Sequence, residues 1–171
     1  MRKCNRKIQI IKFLFLALCL HSILNKIFFS KMTQKGLNYD TKILVAWGES
    51  ISGNKKITEW LMKNGYSELG LFHFALRNED RSRKWLLDNK SSHLLALING
   101  IEGNRDALKW LKDHQFELLF KMALVGDGHE DVYEELNKTG FKLFAMLAKK
   151  MNQVKQEIEE QNNDIHRISR D

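Results

Sequence analysis

Residues 103–116 read GNRDALKWLKDHQF, and related stretches occur 25 positions before and after them. In three of these stretches a Trp-Leu pair stands at the same place, and the fourth stretch has Glu-Leu there. Similarity at a fixed period is typical of proteins built from repeated units that pack against one another. Because these positions recur in every unit, we expect them to form the core between units. The predicted core residues are Trp60, Leu61, Trp85, Leu86, Trp110, Leu111 and Leu136.

Two columns of glycine and asparagine divide each period. One column starts seven residues before the Trp or Glu position, and the other starts four residues after it. Both residue types tolerate the left-handed backbone that ends helices, so the columns predict turns between helices of about ten residues. The predicted turn residues are Gly53, Asn54, Gly65, Asn78, Gly103, Asn104, Gly128 and Gly140.

The segments between these turns carry apolar residues at helical spacing, and the chain contains no proline. Helices of this length are marginal alone and need neighbours to cover their apolar faces. Residues 38–140 therefore predict an all-α fold, a right-handed solenoid of about four short helix-turn-helix repeats. Residues 141–171 predict a C-terminal capping helix.

The second helix of the unit resembles that of an ankyrin repeat in residues 103–111 and 128–140, and residues 60–65 are similar. Residues 72–75 (FHFA) are similar to the Leu-His-Leu-Ala of that family's first helix, but the Thr-Pro that usually opens that helix is missing. Ankyrin repeats are about 33 residues long, so the shorter period lacks the length of their hairpin. The resemblance implies a protein-interaction module without enzymatic activity, from which the usual hairpin contact surface is missing.

After Gly140 the apolar residues follow alternate steps of four and three, which is a heptad pattern. The pattern runs through Leu147, Met151, Val154, Ile158, Gln161, Ile165 and Ile168. We expect residues 141–154 to close the array by covering its last apolar face. Residues 155–171 either extend into solvent or form a coiled coil with a second copy, which leaves a homo-oligomer open.

The positive charge of the chain is confined to the segment 1–31, which contains seven lysines and arginines and no acid. The other 21 basic residues equal the 21 acidic residues in number, so residues 32–171 have no net formal charge. A body without a positive field argues against nucleic-acid binding.

This leader, residues 1–31, combines a basic start with an apolar run at residues 13–20, which is typical of a signal-like or membrane-surface segment. Lys12 and Lys26 interrupt the apolar stretch before it reaches the length of a membrane span. Alternatively, translation starts at Met32 and the leader is an upstream extension. A start at Met32 predicts a cytoplasmic protein, and a functional leader predicts a membrane-associated or exported one.

The sequence contains no recognisable catalytic or cofactor motif. Both cysteines, Cys4 and Cys19, lie in the leader, so the body has no thiol for catalysis or zinc binding. His73 lies in an apolar segment without a partner motif for general-base chemistry, and we expect it to pack. Residues 127–131 (DGHED) fall in a turn column, where helix capping explains them better than metal binding. We therefore expect no cofactor, no metal and no enzymatic activity.

A stacked helical array without catalytic groups predicts a non-catalytic protein–protein interaction module, whose partner is another protein. The first helices of the units and the turns before the second helices are the expected contact surface. The alternative is a membrane-associated structural protein, anchored by residues 1–31.

Overall fold

The computed structural model describes residues 35–163, which form nine α-helices and no β-strand. The helices are α1 (Thr41–Ile51), α2 (Lys55–Lys63), α3 (Ser67–Leu76), α4 (Asp80–Asp88), α5 (Ser92–Ile101), α6 (Arg105–Asp113), α7 (Glu117–Gly126), α8 (Glu130–Lys138) and α9 (Lys142–Asn163). We call α1, α3, α5 and α7 the first helices, and α2, α4, α6 and α8 the second helices. The prediction of an all-α fold is confirmed for these residues.

All nine helices belong to one compact unit that begins at Asn38. This unit includes the C-terminal helix, which the sequence analysis treats as a separate segment. The leader, residues 1–31, lies outside the described residues, and so do its two cysteines and the last two positions of the heptad pattern, Ile165 and Ile168.

The turns between the helices repeat with the period of the sequence. One residue in the turn before each second helix has φ between 65° and 105°, and one residue in the turn after it has φ between 60° and 90°. The first set comprises Gly53, Asn78, Gly103 and Gly128. The second set comprises Gly65, Lys90, Gln115 and Gly140. Left-handed backbone thus ends both kinds of helix once in every period.

Side chains in these turns cap the second helices. Asn54 Oδ1 accepts a hydrogen bond from Ile57 N (3.3 Å), and Asn104 Oδ1 accepts one from Ala107 N (3.0 Å). Each bond satisfies a first-turn N–H that has no partner within its helix. At the other end, four side chains donate to the carbonyl four residues earlier at 2.6–2.9 Å, namely Asn64, Asn89, His114 and Thr139.

The first helices and α9 form an inner layer in which each helix contacts the next. Helix α9 also contacts α1, so the inner layer closes on itself. A column of side chains that recurs once per period is almost completely buried in this layer: Trp47, Phe72, Leu97, Met122 and Leu147. The second helices lie outside it, and each packs on two neighbouring inner helices.

The predicted core residues lie at two depths. Four leucines of the second helices are completely buried, namely Leu61, Leu86, Leu111 and Leu136. The expectation of a core position is wrong for Trp60, which is 44% exposed, and Trp85 and Trp110 are only partly buried. Adjacent residues point about 100° apart on a helix, so the leucine faces inward while the preceding tryptophan lies at the edge.

Helix α9 has 22 residues, and its first half occupies the place of a fifth first helix. At the register of Gly128 it carries Gln153, and the helix continues through this position. Its second half crosses the C-terminal ends of α3, α5 and α7. Asn152 Nδ2 donates to Gly126 O (2.8 Å), and Lys155 Nζ lies 2.6 Å from Asp127 Oδ1.

The heptad pattern serves packing within the chain over its first part. Leu147, Met151 and Val154 are buried, and Ile158 is half-buried. These side chains are therefore not free to form a coiled coil with a second copy. Gln161 is exposed on the last described turns of α9.

Candidate binding surface

His73 is a buried packing residue of α3. Its Nδ1 lies 3.5 Å from Nη1 of Arg77, and the same Nη1 donates to Ile51 O at 3.4 Å. Burial and the charge of Arg77 lower the pKa of His73 below its ordinary value of 6.5. The imidazole is therefore neutral at physiological pH and joins the end of α3 to the end of α1.

The acids of residues 127–131 form ion pairs with α9 rather than a cation site. Asp127 pairs with Lys155, and Glu130 pairs with Lys149. His129 stands at the position that precedes α8. Over residues 35–163, no group of three or more His, Cys, Asp or Glu side chains is arranged to hold a metal ion.

Part of the surface expected for a partner is covered by the chain itself. The first helices form the closed inner layer, and the turns before the second helices contact α9. Lys150 Nζ donates to Ser52 Oγ (2.8 Å), and Arg77 Nη2 lies 3.4 Å from Glu157 Oε2. Ser92, Leu95, Ala96 and Asn99 of the first helix α5, and Asn104 in the turn before α6, nevertheless line an open groove.

An open groove lies between α4 and α6, with α5 as its floor, and has a volume of about 280 Å3. We call it the α4–α6 groove. Its lining residues are Leu87, Ser92, Leu95, Ala96, Asn99, Asn104, Asp106, Ala107 and Trp110. Leu87 is 56% exposed and lines the groove together with Trp110.

At the groove, Leu87 and Ala96 stand where the next repeat has two lysines that make contacts beside α7. Lys112, one period after Leu87, places its Nζ 4.8 Å from the centre of the Phe120 ring. Lys121, one period after Ala96, places its Nζ 2.7 Å from Glu135 Oε1. Leucine and alanine at these two positions make neither contact, so the surface between α4 and α6 remains apolar and accessible.

Stacked rings hold Trp110 in place at the edge of the groove. The Trp110 ring lies 5.7 Å from that of Phe116 and 4.1 Å from that of His114, with interplanar angles of 13° and 22°. Phe116 in turn stacks on His93, with 5.4 Å between the ring centres. A tryptophan fixed in this way loses little side-chain entropy when a ligand packs on its exposed part.

Polar groups line the groove together with its apolar side chains. Asp106 contributes a negative charge, and Ser92 and Asn99 contribute neutral donors and acceptors. This arrangement suits apolar side chains of a polypeptide with hydrogen-bonding or basic groups beside them.

Sequence reasoning did not single out this groove, although one signal was present. Leu87 follows the buried Leu86, whereas the residues at the same register in the other second helices are Met62, Lys112 and Asn137. A second leucine beside the buried one is out of place on the polar side of a short amphipathic helix.

Comparison of the chain with protein-family models, with curated proteins and with solved structures finds no match. The likeness to ankyrin repeats therefore depends on the residues and motifs of this sequence. Across residues 35–163, no helix has both the length and the apolarity required to cross a bilayer.

Proposed function

We propose that this chain is a non-catalytic protein-interaction module and that it binds its partner through the α4–α6 groove. The observation that carries the proposal is the exposed Leu87 beside the ring-stacked Trp110. Apolar patches rimmed by polar groups mark interaction sites, and tryptophan is enriched among the residues that dominate binding energy. The absence of a cofactor and of catalysis belongs to this proposal.

We further propose that the helix pairs are shortened ankyrin-like repeats, wound with a right-handed sense into an array of about four units that α9 closes. The regular spacing of helix ends and left-handed residues supports a common repeating unit. In this proposal the partner surface combines the first helix α5 and the turn before α6 with the second helices α4 and α6.

Site-specific photo-crosslinking tests the proposed surface. A benzophenone amino acid replaces Leu87 in the full chain, and a control protein carries it at Lys112, the equivalent position on α6. We expect adducts with a discrete partner protein from the native host at position 87, in at least tenfold excess over position 112. Equal adduct formation at the two positions refutes the groove as the binding surface.

A charge substitution supplies an independent readout of the same surface. Leu87→Glu places a carboxylate on an exposed position, so the melting temperature should remain within about 2 °C of wild type. Recovery of the crosslinked partner with affinity-tagged protein should fall at least tenfold, because the partner would have to bury that charge. Undiminished recovery contradicts the proposal.

A membrane-associated role is the second candidate, and the seven unopposed basic residues of the leader favour it. Basic residues beside an apolar segment bind anionic lipid surfaces. Flotation of the full chain with vesicles of anionic phospholipid, compared with a chain that starts at Met32, tests this role. Co-flotation only of the full chain supports it, and failure of both proteins to float with the vesicles excludes it.

A further inference from the structure

The joint between α9 and α1 differs from the other joints of the inner layer. Each second helix lies over the joint between two inner helices: α2 over α1 and α3, α4 over α3 and α5, α6 over α5 and α7, and α8 over α7 and α9. Among the described helices, none packs in this way over the joint between α9 and α1. We call this joint the α9–α1 seam.

Two exposed apolar side chains mark the seam. The residue one period after Val45 is Gly70, whose Cβ position lies 2.6 Å from Cγ of Met62 on the preceding second helix, α2. A side chain at this position of an inner helix therefore faces the preceding second helix. Val45, on the first inner helix, is 51% exposed, because no described second helix precedes α1.

Met146, on the α9 wall of the seam, is exposed for a similar reason. The residue one period before Met146 is Lys121, which pairs with Glu135 on the second helix of its own unit. Helix α9 runs on without a turn and so has no second helix of its own among the described residues. Met146 is accordingly 47% exposed.

The floor of the seam is already closed. A Cβ atom on Gly48 would lie 2.9 Å from Cδ2 of Leu147, so α1 and α9 approach closely. Lys150 Nζ lies 3.2 Å from Glu49 Oε1 and ties the two helices together one turn beyond the apolar pair. The seam is therefore a close contact between two helices, with two exposed apolar side chains and an ion pair one turn beyond them.

We propose that the α9–α1 seam binds a short amphipathic helix of a partner protein, which takes the position of a fifth second helix. The four occupied positions in the same molecule define this ligand. Each holds a nine-residue helix with one completely buried leucine, namely Leu61, Leu86, Leu111 or Leu136. The ligand is therefore a polar helix that carries one apolar residue at the position of these leucines.

The charges of the neighbouring second helices refine the ligand. On one side of the seam, α8 carries four acids and one lysine: Glu130, Asp131, Glu134, Glu135 and Lys138. On the other side, α2 carries three lysines and one acid: Lys55, Lys56, Lys63 and Glu59. Glu130, Glu134 and Glu135 already form ion pairs, and so do Glu59 and Lys63. The remaining charges, Asp131 on α8 and Lys55 and Lys56 on α2, suit a helix that is basic on one flank and acidic on the other, with its leucine between the flanks.

A peptide with the sequence of residues 103–116, which includes α6, is a suitable probe. Its basic residues Arg105, Lys109 and Lys112 share one flank at helical spacing, and Asp106 and Asp113 share the other. The fluorescein-labelled peptide is titrated into the full chain, and binding is measured by fluorescence anisotropy. We expect saturable binding, and the Leu111→Glu peptide should bind at least tenfold more weakly, because Leu111 is the completely buried leucine of α6.

Matched variants of the protein locate the binding site. Val45→Glu and Met146→Glu change exposed positions and should weaken peptide binding at least tenfold without lowering the melting temperature. Leu87→Glu, in the α4–α6 groove, should leave peptide binding unchanged. The seam and the groove are separate surfaces, so either proposal can fail without the other. Absence of binding to the wild type, or equal binding to all variants, overturns the seam proposal.

A benzophenone amino acid at position 146 of the full chain tests whether a second copy or another segment of the chain occupies the seam instead. Adducts with the added peptide, mapped by mass spectrometry, support the proposal. An adduct between two copies of the chain, or one with residues 1–34 of the same chain, shows that another segment covers the seam and overturns it.

Discussion

Lys90 and Gln115 adopt a left-handed backbone, with φ of 61° and 60°, at a place where the other units have Gly65 and Gly140. Both side chains are exposed. We predict that Lys90→Gly and Gln115→Gly each stabilise the protein, because glycine removes the clash of Cβ with the following carbonyl oxygen.

The magnitude follows from two opposing costs. Left-handed backbone costs an ordinary residue roughly 1–2 kcal/mol. Glycine adds about 0.5–1 kcal/mol of conformational entropy to the unfolded chain. The net gain in unfolding free energy is about 0.5–1 kcal/mol per site, and the two sites lie in different turns, so the double variant should gain about 1–2 kcal/mol. This corresponds to a rise of about 3–6 °C in Tm.

Urea unfolding of the full chain measures these changes, with the m-value as a check that the unfolded state is unaltered. Lys84→Gly, in the interior of α4, is the matched control and should lose about 1 kcal/mol. Asn78→Gly should gain less than the two variants, because asparagine tolerates this backbone and its Oδ1 accepts a hydrogen bond from Arg83 (2.7 Å). A loss of stability in Lys90→Gly comparable with that of Lys84→Gly refutes the common turn.

Three further predictions concern the core. Trp47→Ala should lower the unfolding free energy by about 3–5 kcal/mol. Trp47→Phe should lower it by less than about 1.5 kcal/mol, because the buried indole N–H has no partner among the described residues. Urea unfolding measures both changes. Gly126→Ala should cost about 1–3 kcal/mol in the same assay, since its Cβ would lie 2.5 Å from Cγ1 of Ile101. The lowered pKa of His73 stabilises the fold fully above pH 6.5, and this contribution is lost as the pH falls below that value, because the unfolded state then binds more protons. Unfolding at neutral pH and at about pH 5 should show a smaller acid loss for His73→Asn than for wild type, and an equal loss contradicts the assignment.

The helices and their turns were accessible to sequence reasoning because glycine and asparagine mark helix ends through local backbone preference. The period also places the turns at Lys90 and Gln115, although neither residue favours left-handed backbone by itself. The sequence does not show which residue of each Trp-Leu pair is the buried one. Both are apolar, and the difference between the buried Leu61 and the exposed Trp60 depends on a rotation of one position around the helix.

The sequence pattern does not predict that the inner layer closes. Its closure depends on contacts between residues far apart in the sequence, such as that of Glu49 with Lys150. The α4–α6 groove was missed for a related reason. It results from the difference in side-chain size between Ala96 and Lys121, which matters only when neighbouring helices are placed around them.

The meeting of α9 with α1 limits how this architecture can change in evolution. An open array lengthens when a unit is duplicated, because each unit contacts only its neighbours. Here an inserted copy of one unit would separate Gly48 from Leu147 and expose both walls of their contact. In homologues of this chain, insertions and deletions should therefore concentrate in surface turns and at the termini, while the number of inner helices stays fixed.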